Sequence, residues 1–253
     1  SYMLDITHEV AGCHDGEGGL LLDRTADMIG SKGTGLWSVQ VALDCGVPVP
    51  SLAAAVLARQ MSMARPERVE NAQRLASTVQ AKPQQEGGQA EHIIEDLYWA
   101  VLLSILASYA QMFQALRAVD REFSLDIAGN LPRIISTFRA GCILQGALLE
   151  PMTKAFEAEP ELPNLLCAFE QELAAGMQRF RAACARLVLA GEETGVMQAS
   201  LTYVASMTRP LLGAAQVVAL QRDVFGRHGF KRIGEHGEVS AELHNWQWRE
   251  MIP

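Results

Sequence analysis

Apolar residues return at intervals of three and four along most of this chain, the spacing of one face of an α-helix. The longest such stretch is 90–123, where Ile93, Ile94, Leu97, Val101, Ile105, Tyr109, Phe113, Leu116 and Val119 form an unbroken stripe that other helices must cover. A second stripe over 165–189 runs through Phe169, Leu173, Met177, Phe180, Cys184 and Leu187, and Gly191 stops it. Shorter helices are predicted over 2–10, 36–47, 51–63, 66–79, 134–149, 152–158, 197–207 and 211–225. Pro50, Pro151 and Pro210 stand at helix starts, where a missing N–H costs nothing, and Ser124 or Asp126 is placed to cap the helix from Ile127. Gly141 and Gly146 suit close helix contacts. The segment 80–89 reads as a polar linker bearing glycine and proline, and 14–19 as a loop. No stretch alternates with period two between turns, so the fold class is all-α: a multi-helix domain with two long central helices. The two long helices could belong to duplicated halves, although no short repeat is evident.

Composition narrows the partners. At 253 residues and 49% hydrophobic, the chain has ample core. A net charge of −8 argues against nucleic-acid or membrane-surface partners, which call for a basic face. The strongly apolar run 98–107 is too short to cross a bilayer, so a buried helix is expected there. Five cysteines without C-x-x-C spacing suit reduced, mostly buried thiols in a cytoplasmic protein better than disulfides or zinc. Cys13 and His14 lack a second ligand pair and read as a loop.

Candidate chemistry gathers at Ile29-Gly30-Ser31-Lys32-Gly33-Thr34-Gly35-Leu36-Trp37. Three glycines permit positive φ and close backbone approach, Lys32 supplies charge, Thr34 a hydroxyl, and the following helix offers free N–H groups to an anion. The string is neither a P-loop nor a G-x-G-x-x-G fingerprint, since Ser38 stands where the last glycine belongs, and a plain helix connection with a solvated lysine is the alternative. Arg59 falls among apolar neighbours and calls for an anion or a carboxylate partner. Beyond Phe230 the chain turns polar, yet Trp246 and Trp248 lie near its end; they must dock, on their own domain or on a partner.

The run Ser31-Lys32-Gly33-Thr34-Gly35-Leu36-Trp37, continued by Ala42-Leu43-Asp44-Cys45-Gly46-Val47-Pro48 and Val56-Leu57-Ala58-Arg59, resembles the decarboxylating 6-phosphogluconate dehydrogenase family. That family carries Gln-Lys-Gly-Thr-Gly-Lys-Trp, Ala-Leu-Asp-x-Gly-Val-Pro and Val-Phe-Ala-Arg. Gln221-Arg222-Asp223-Val224-Phe225-Gly226-Arg227-His228 is similar to its Gln-Arg-Asp-Tyr-Phe-Gly-x-His. The three matches fall in the family's order, within a resemblance that runs from Ser1 to about Phe230.

The resemblance implies that Lys32, Thr34 and Arg59 contact a substrate phosphate, and that Arg222 and His228 reach the same phosphate from the other subunit of a homodimer. From the residues alone, Arg222 and His228 also fit a solvated helix end. It implies a helical substrate-binding and dimerisation domain over 1–232 and a tail over 233–253 that docks on the partner subunit. The reaction implied is metal-free oxidation of 6-phosphogluconate by NADP and decarboxylation to ribulose 5-phosphate, in the pentose phosphate pathway. Its dinucleotide-binding domain and its catalytic lysine, histidine, asparagine and glutamate belong to an N-terminal part that this chain lacks, so the chain is expected to be inactive alone. Leu36 and Ser31 depart from the family's lysine and glutamine, and its His-Thr-x-Trp ending has no clean counterpart at Leu243-His244-Asn245-Trp246. A stand-alone, non-catalytic interaction or phosphosugar-binding protein of the same fold is the alternative.

Overall fold

The structure, a computed structural model, describes residues 1–79, 90–234 and 237–248. The expected linker over 80–89 lies outside them. Ten α-helices are present among the described residues, with no strand beyond isolated bridges: α1 (Tyr2–Gly12), α2 (Thr34–Asp44), α3 (Pro50–Met63), α4 (Arg65–Val79), α5 (Ala90–Phe123), α6 (Leu131–Ser136), α7 (Leu149–Ala158), α8 (Glu170–Leu189), α9 (Gly195–Met207) and α10 (Gly213–Gly226). The chain divides into two compact units, Ser1–Val204 and Ala205–Pro253.

The first unit is built on α5, whose 34 residues span about 50 Å at ~1.5 Å per residue. The other long helix, α8, packs along it. In α8 Gly176 faces Trp99 of α5, and any Cβ there would drive into the Trp99 ring. The main core joins Leu103, Leu106 and Phe113 of α5 to Phe180 of α8, Met152 of α7 and Ile135 of α6. A smaller core of Val39, Ala42, Val47, Val49 and Ala118 fixes α2 and α3 to the later part of α5. The N-terminus of α3 is tied in by a buried polar cluster. There the Ser51 amide donates to Gln111 Oε1 at 2.9 Å, Gln111 Nε2 donates to Ser51 Oγ at 2.7 Å, and the Ser51 and Ser200 hydroxyls meet at 2.8 Å.

Helix α5 is long and apolar enough to cross a membrane by length and composition alone. However, Ala100, Leu103, Leu106, Ala107 and Ala110 are all sealed in the protein core. The sealed face is not the predicted stripe: of those positions Phe113 is buried, most are half-buried, and Ile94 is 67% exposed. Three of the five sealed residues are alanines, and the bulkier aliphatic positions of the stripe are left half-open.

Several boundaries depart from expectation for local reasons. The helix predicted over 134–149 ends at Ser136, where the Ser136 and Thr137 hydroxyls donate to the Arg133 and Ile134 carbonyls at 2.6 and 2.7 Å. Residues 137–148 form turns, with Gly141 at φ 71°. Gly146 lies in this turn segment and not in a helix, next to Ser1 and beside a bond from the Tyr2 amide to the Gln145 carbonyl at 3.2 Å. Ser124 and Asp126 do not cap the 3-10 turn Ala128–Asn130 or the helix after it; both adopt positive φ, and Asp120 takes the Ala128 amide at 2.9 Å. The stretch 165–189 opens with a 3-10 turn, Leu165–Phe169, capped by Asn164, before α8 begins. All five cysteines are free, but only Cys184 is buried, which pushes its thiol pKa up; Cys13 and Cys167 face solvent.

The second unit consists of α10 and a chain return. The return is marked by antiparallel bridges between Phe230 and His244 and between Ile233 and Val239.

Candidate functional site

The glycine-bearing loop is held from below by the corner between α3 and α4. Asp27 pairs with Arg68 at 2.7 Å and Arg65 at 3.2 Å, and the Arg68 bond chiefly holds its carboxyl below the usual range. The Ile29 amide donates to Ser62 Oγ at 3.0 Å, and the Arg59 guanidinium donates to the Gly30 carbonyl. Arg59 is thus exposed and reaches across to the loop, correcting the expectation that it lies in apolar surroundings. The apolar residues of α3 fill other faces of that helix.

Gly33 adopts φ 95° as the residue before α2, a conformation that favours glycine. A Cβ there would also crowd the Trp37 ring at 3.1 Å. Helix α2 starts at Thr34, two residues before the predicted point, and no side chain caps its first turn. Its N-terminal amides and their dipole therefore face the stretch that carries Lys32. The other end is closed at Gly46 (φ 71°), where the Gly46 and Val47 amides donate to the Leu43 and Ala42 carbonyls at 2.9 and 2.8 Å. Lys32 and Thr34 are exposed, and among the described residues Lys32 makes no ion pair. Beside Thr34 opens an apolar groove of about 330 Å³ walled by Trp37, Val41, Leu52, Met112 and Leu116.

Arg222 and His228 belong to the second unit, at the C-terminal end of α10, where both are exposed. Between them Asp223 is fully buried and accepts four N–H groups. Oδ1 takes the Gly229 amide at 3.1 Å and the Asn245 amide nitrogen, in its donating orientation, at 2.7 Å. Oδ2 takes the Trp246 amide at 3.0 Å and the Trp248 indole N–H at 2.8 Å. The Trp246 backbone and the Trp248 indole are thereby fixed to α10 of their own chain, whereas the Trp246 ring, which was expected to dock, stays 57% exposed with the Arg232 guanidinium 5.9 Å from its centre. Sequence reasoning gave Asp223 no role, although it lies inside the Gln221–His228 motif; the signal available was a pair of late tryptophans in need of an acceptor. The structure thus groups the five predicted residues in two sets: Lys32, Thr34 and Arg59 around the glycine loop, and Arg222 with His228 around Asp223.

The Trp246 amide above all, with the Trp248 indole and the Gly229 amide, holds the Asp223 carboxyl below its ordinary value, against burial, which raises it. A depressed carboxyl contributes stability that is fully present above the unfolded value of about 3.9 and disappears as pH falls through the lower folded value. The Trp248 indole proton resonance is therefore expected to stay fixed from pH 7 to 5 and to move only below about 4. Movement already between pH 6 and 5 would contradict this.

An all-helical domain that sets a lysine, a threonine and an arginine around an uncapped helix N-terminus has the charge and the free N–H groups that favour an anionic group there. Comparison with known proteins gives the particular family. Residues 1–248 match the family model for the 6-phosphogluconate dehydrogenase C-terminal domain, and the chain belongs to that family. It is 46% identical over 257 residues to the decarboxylating 6-phosphogluconate dehydrogenase of Trypanosoma brucei brucei, covering 99% of this chain and 52% of that protein. The Escherichia coli K12 enzyme of the same name is 36% identical over 245 residues, covering 96% and 51%. The NADP(+)-dependent, decarboxylating enzyme of Bacillus subtilis 168 is 35% identical over 245 residues, again covering 96% and 51%. This chain thus spans about half the length of the curated relatives it matches. The fold matches a Plasmodium falciparum 6-phosphogluconate dehydrogenase, solved in apo form and with NADP+ or 6-phosphogluconate, at TM-score 0.88 and 24% identity, over 98% of this chain and 52% of that one.

Proposed function

We propose that this chain is the phosphate-binding and dimer-forming part of an NADP-dependent, decarboxylating 6-phosphogluconate dehydrogenase acting in the cytoplasm, in the pentose phosphate pathway. The carrying observation is the Arg59 guanidinium bonded to the Gly30 carbonyl, which sets a cation beside the loop of Lys32 and Thr34. One arginine donor is spent on that carbonyl, which leaves others for an anion. Lys32 adds a mobile point charge, Thr34 a hydroxyl, and the α2 amides a favourable dipole. In this reading the substrate's phosphate end is anchored here, and Arg222 and His228 approach it from a second copy of the chain. NADP, where bound, accepts the hydride, and proton transfer belongs to residues in the half of the relatives that this chain does not match. Two features support a homodimer with tail exchange: the half-open aliphatic face of α5, and Phe225, 70% exposed on α10. The domain limits proposed are 1–232 for the binding and dimerising part and 233–253 for the tail.

Calorimetric titration of the purified chain with 6-phosphogluconate tests the reading. Saturable binding to a protein that sediments as a dimer, with no NADP reduction when both ligands are present, is expected. An absence of binding at millimolar ligand would overturn the phosphate-anchor assignment, and NADP reduction by the chain alone would overturn the division of labour.

A further inference from the structure

Asp223 does more than fasten the terminal tryptophans. Its backbone carbonyl accepts the Arg227 amide at 3.0 Å, and its carboxylate accepts the Gly229 amide at 3.1 Å. The residues on both sides of His228 are thus held by one aspartate. Arg227 takes the left-handed conformation (φ 48°, ψ 39°) that turns the chain out of α10. His228 then lies back on the last helical turn: its ring stands edge-on to Phe225 with centroids 5.9 Å apart, and a Cβ on Gly226 would come within 2.5 Å of its Nε2. Arg222 immediately precedes the same aspartate. A fully buried carboxylate with all four acceptor sites filled is a stiff anchor, because any displacement strands a donor away from water.

We propose that Asp223 is the positioning residue that sets Arg222 and His228 in fixed register for a phosphate group, with the terminal segment 245–248 as its clamp. The inference rests on the proposed function, in which Arg222 and His228 bind phosphate. It adds that their placement depends on a carboxylate that itself never meets the ligand. It also makes the tail a component of the site: Asn245, Trp246 and Trp248 supply three of the four donors that hold Asp223.

The test uses the full chain, with its histidine rings labelled at Cε1 and followed by NMR, and inorganic phosphate as the probe. The chain has six histidines, and His228→Gln assigns the relevant signal. Asp223→Asn presents an amide N–H₂ toward donors and removes the charge. It is expected to shift the His228 signal and the Trp248 indole proton toward solvent-exposed positions and to weaken phosphate binding about tenfold, the effect of losing one charge-assisted bond. The signals of His8, His14 and His92, which lie outside this unit, and the helical signal are expected to stay unchanged. Asp223→Glu, which keeps the charge one methylene further out, is expected to recover part of the affinity. A folded Asp223→Asn protein whose His228 signal and phosphate affinity match the parent would overturn the proposal. If that variant does not fold, Trp248→Phe, which deletes a single donor, decides the matter. It is expected to move the His228 signal in the same direction by less, and an unmoved signal overturns the proposal. Failure of the underlying phosphate assignment looks different: phosphate leaves the parent's His228 signal untouched, while Asp223→Asn still displaces it.

Discussion

Truncating Phe113 to alanine is expected to destabilise the chain by about 3–5 kcal/mol, lowering the thermal midpoint by about 6–20 °C at ~2–4 °C per kcal/mol. Phe113 is 2% exposed, and its ring stands edge-on to Phe156 of α7 at 5.2 Å and stacks on Tyr109 at 6.0 Å. Phe156 in turn carries the Arg117 guanidinium 5.2 Å from its ring centre. One side chain therefore links the long helix to α7, and its removal forfeits both burial and an aromatic pair worth ~0.5–1.5 kcal/mol beyond area. Collapse into the hole is restricted, because Leu131, Ile135 and Met152 of the same core are themselves fully buried and close-packed. Ile143→Ala, 62% exposed in the turn segment 137–148, is expected to shift stability by less than about 0.5 kcal/mol. Melting followed by circular dichroism separates the two; a Phe113→Ala midpoint within about 3 °C of the parent would refute the argument.

The all-α class was legible because its punctuation is local. Pro50 opens α3, and Gly46 and Gly191 end α2 and α8 in the left-handed conformation. Two other features were not local. Helix α5 is apolar almost all round between Leu97 and Ala110, so spacing alone could not say which face is sealed. The sealed positions, Ala100, Leu103, Leu106, Ala107 and Ala110, are decided by which neighbouring helices pack on α5, and that is not a local property. The 134–149 stretch has enough isoleucine and leucine to look helical. Hydroxyls at Ser136 and Thr137 and the turn at Gly141 override that pattern.

The site divides in the same way. The glycine loop announced itself, since three glycines around Lys32 ahead of a helix have a physical meaning without any resemblance. Arg59 was given the wrong surroundings, because its partner carbonyl is 29 residues away and no helical pattern points there. Asp223 was silent for a related reason. It is one of 29 acidic residues, and its four donors come from positions 229, 245, 246 and 248. A carboxylate that collects donors from later in the chain becomes visible only when the chain return is known.

Lys32→Ala and Arg59→Ala are each expected to weaken 6-phosphogluconate binding by about 10- to 100-fold, from ~1.5–3 kcal/mol per charge-assisted bond at ~1.4 kcal/mol per decade. Both side chains are exposed, so water and salt screen them, and Lys32, a flexible point charge, belongs near the lower end. Arg59 belongs near the upper end, because its loss removes a forked donor and also releases the Gly30 carbonyl that fixes the loop. Arg59→Lys keeps the charge without the fork and should fall between parent and alanine. The double variant should lose less than the sum, since a loop already loosened at Gly30 holds Lys32 less firmly. Lys154→Ala is the control for net charge: Lys154 pairs with Glu150 at 3.4 Å on the exposed side of α7 and should leave binding unchanged. Calorimetry at two ionic strengths checks the set, with a smaller salt dependence expected in both alanine variants. If Arg59→Ala binds like Lys154→Ala, the anion does not sit on this loop, and the contact between Arg59 and Gly30 is only a strut between α3 and the turn before α2.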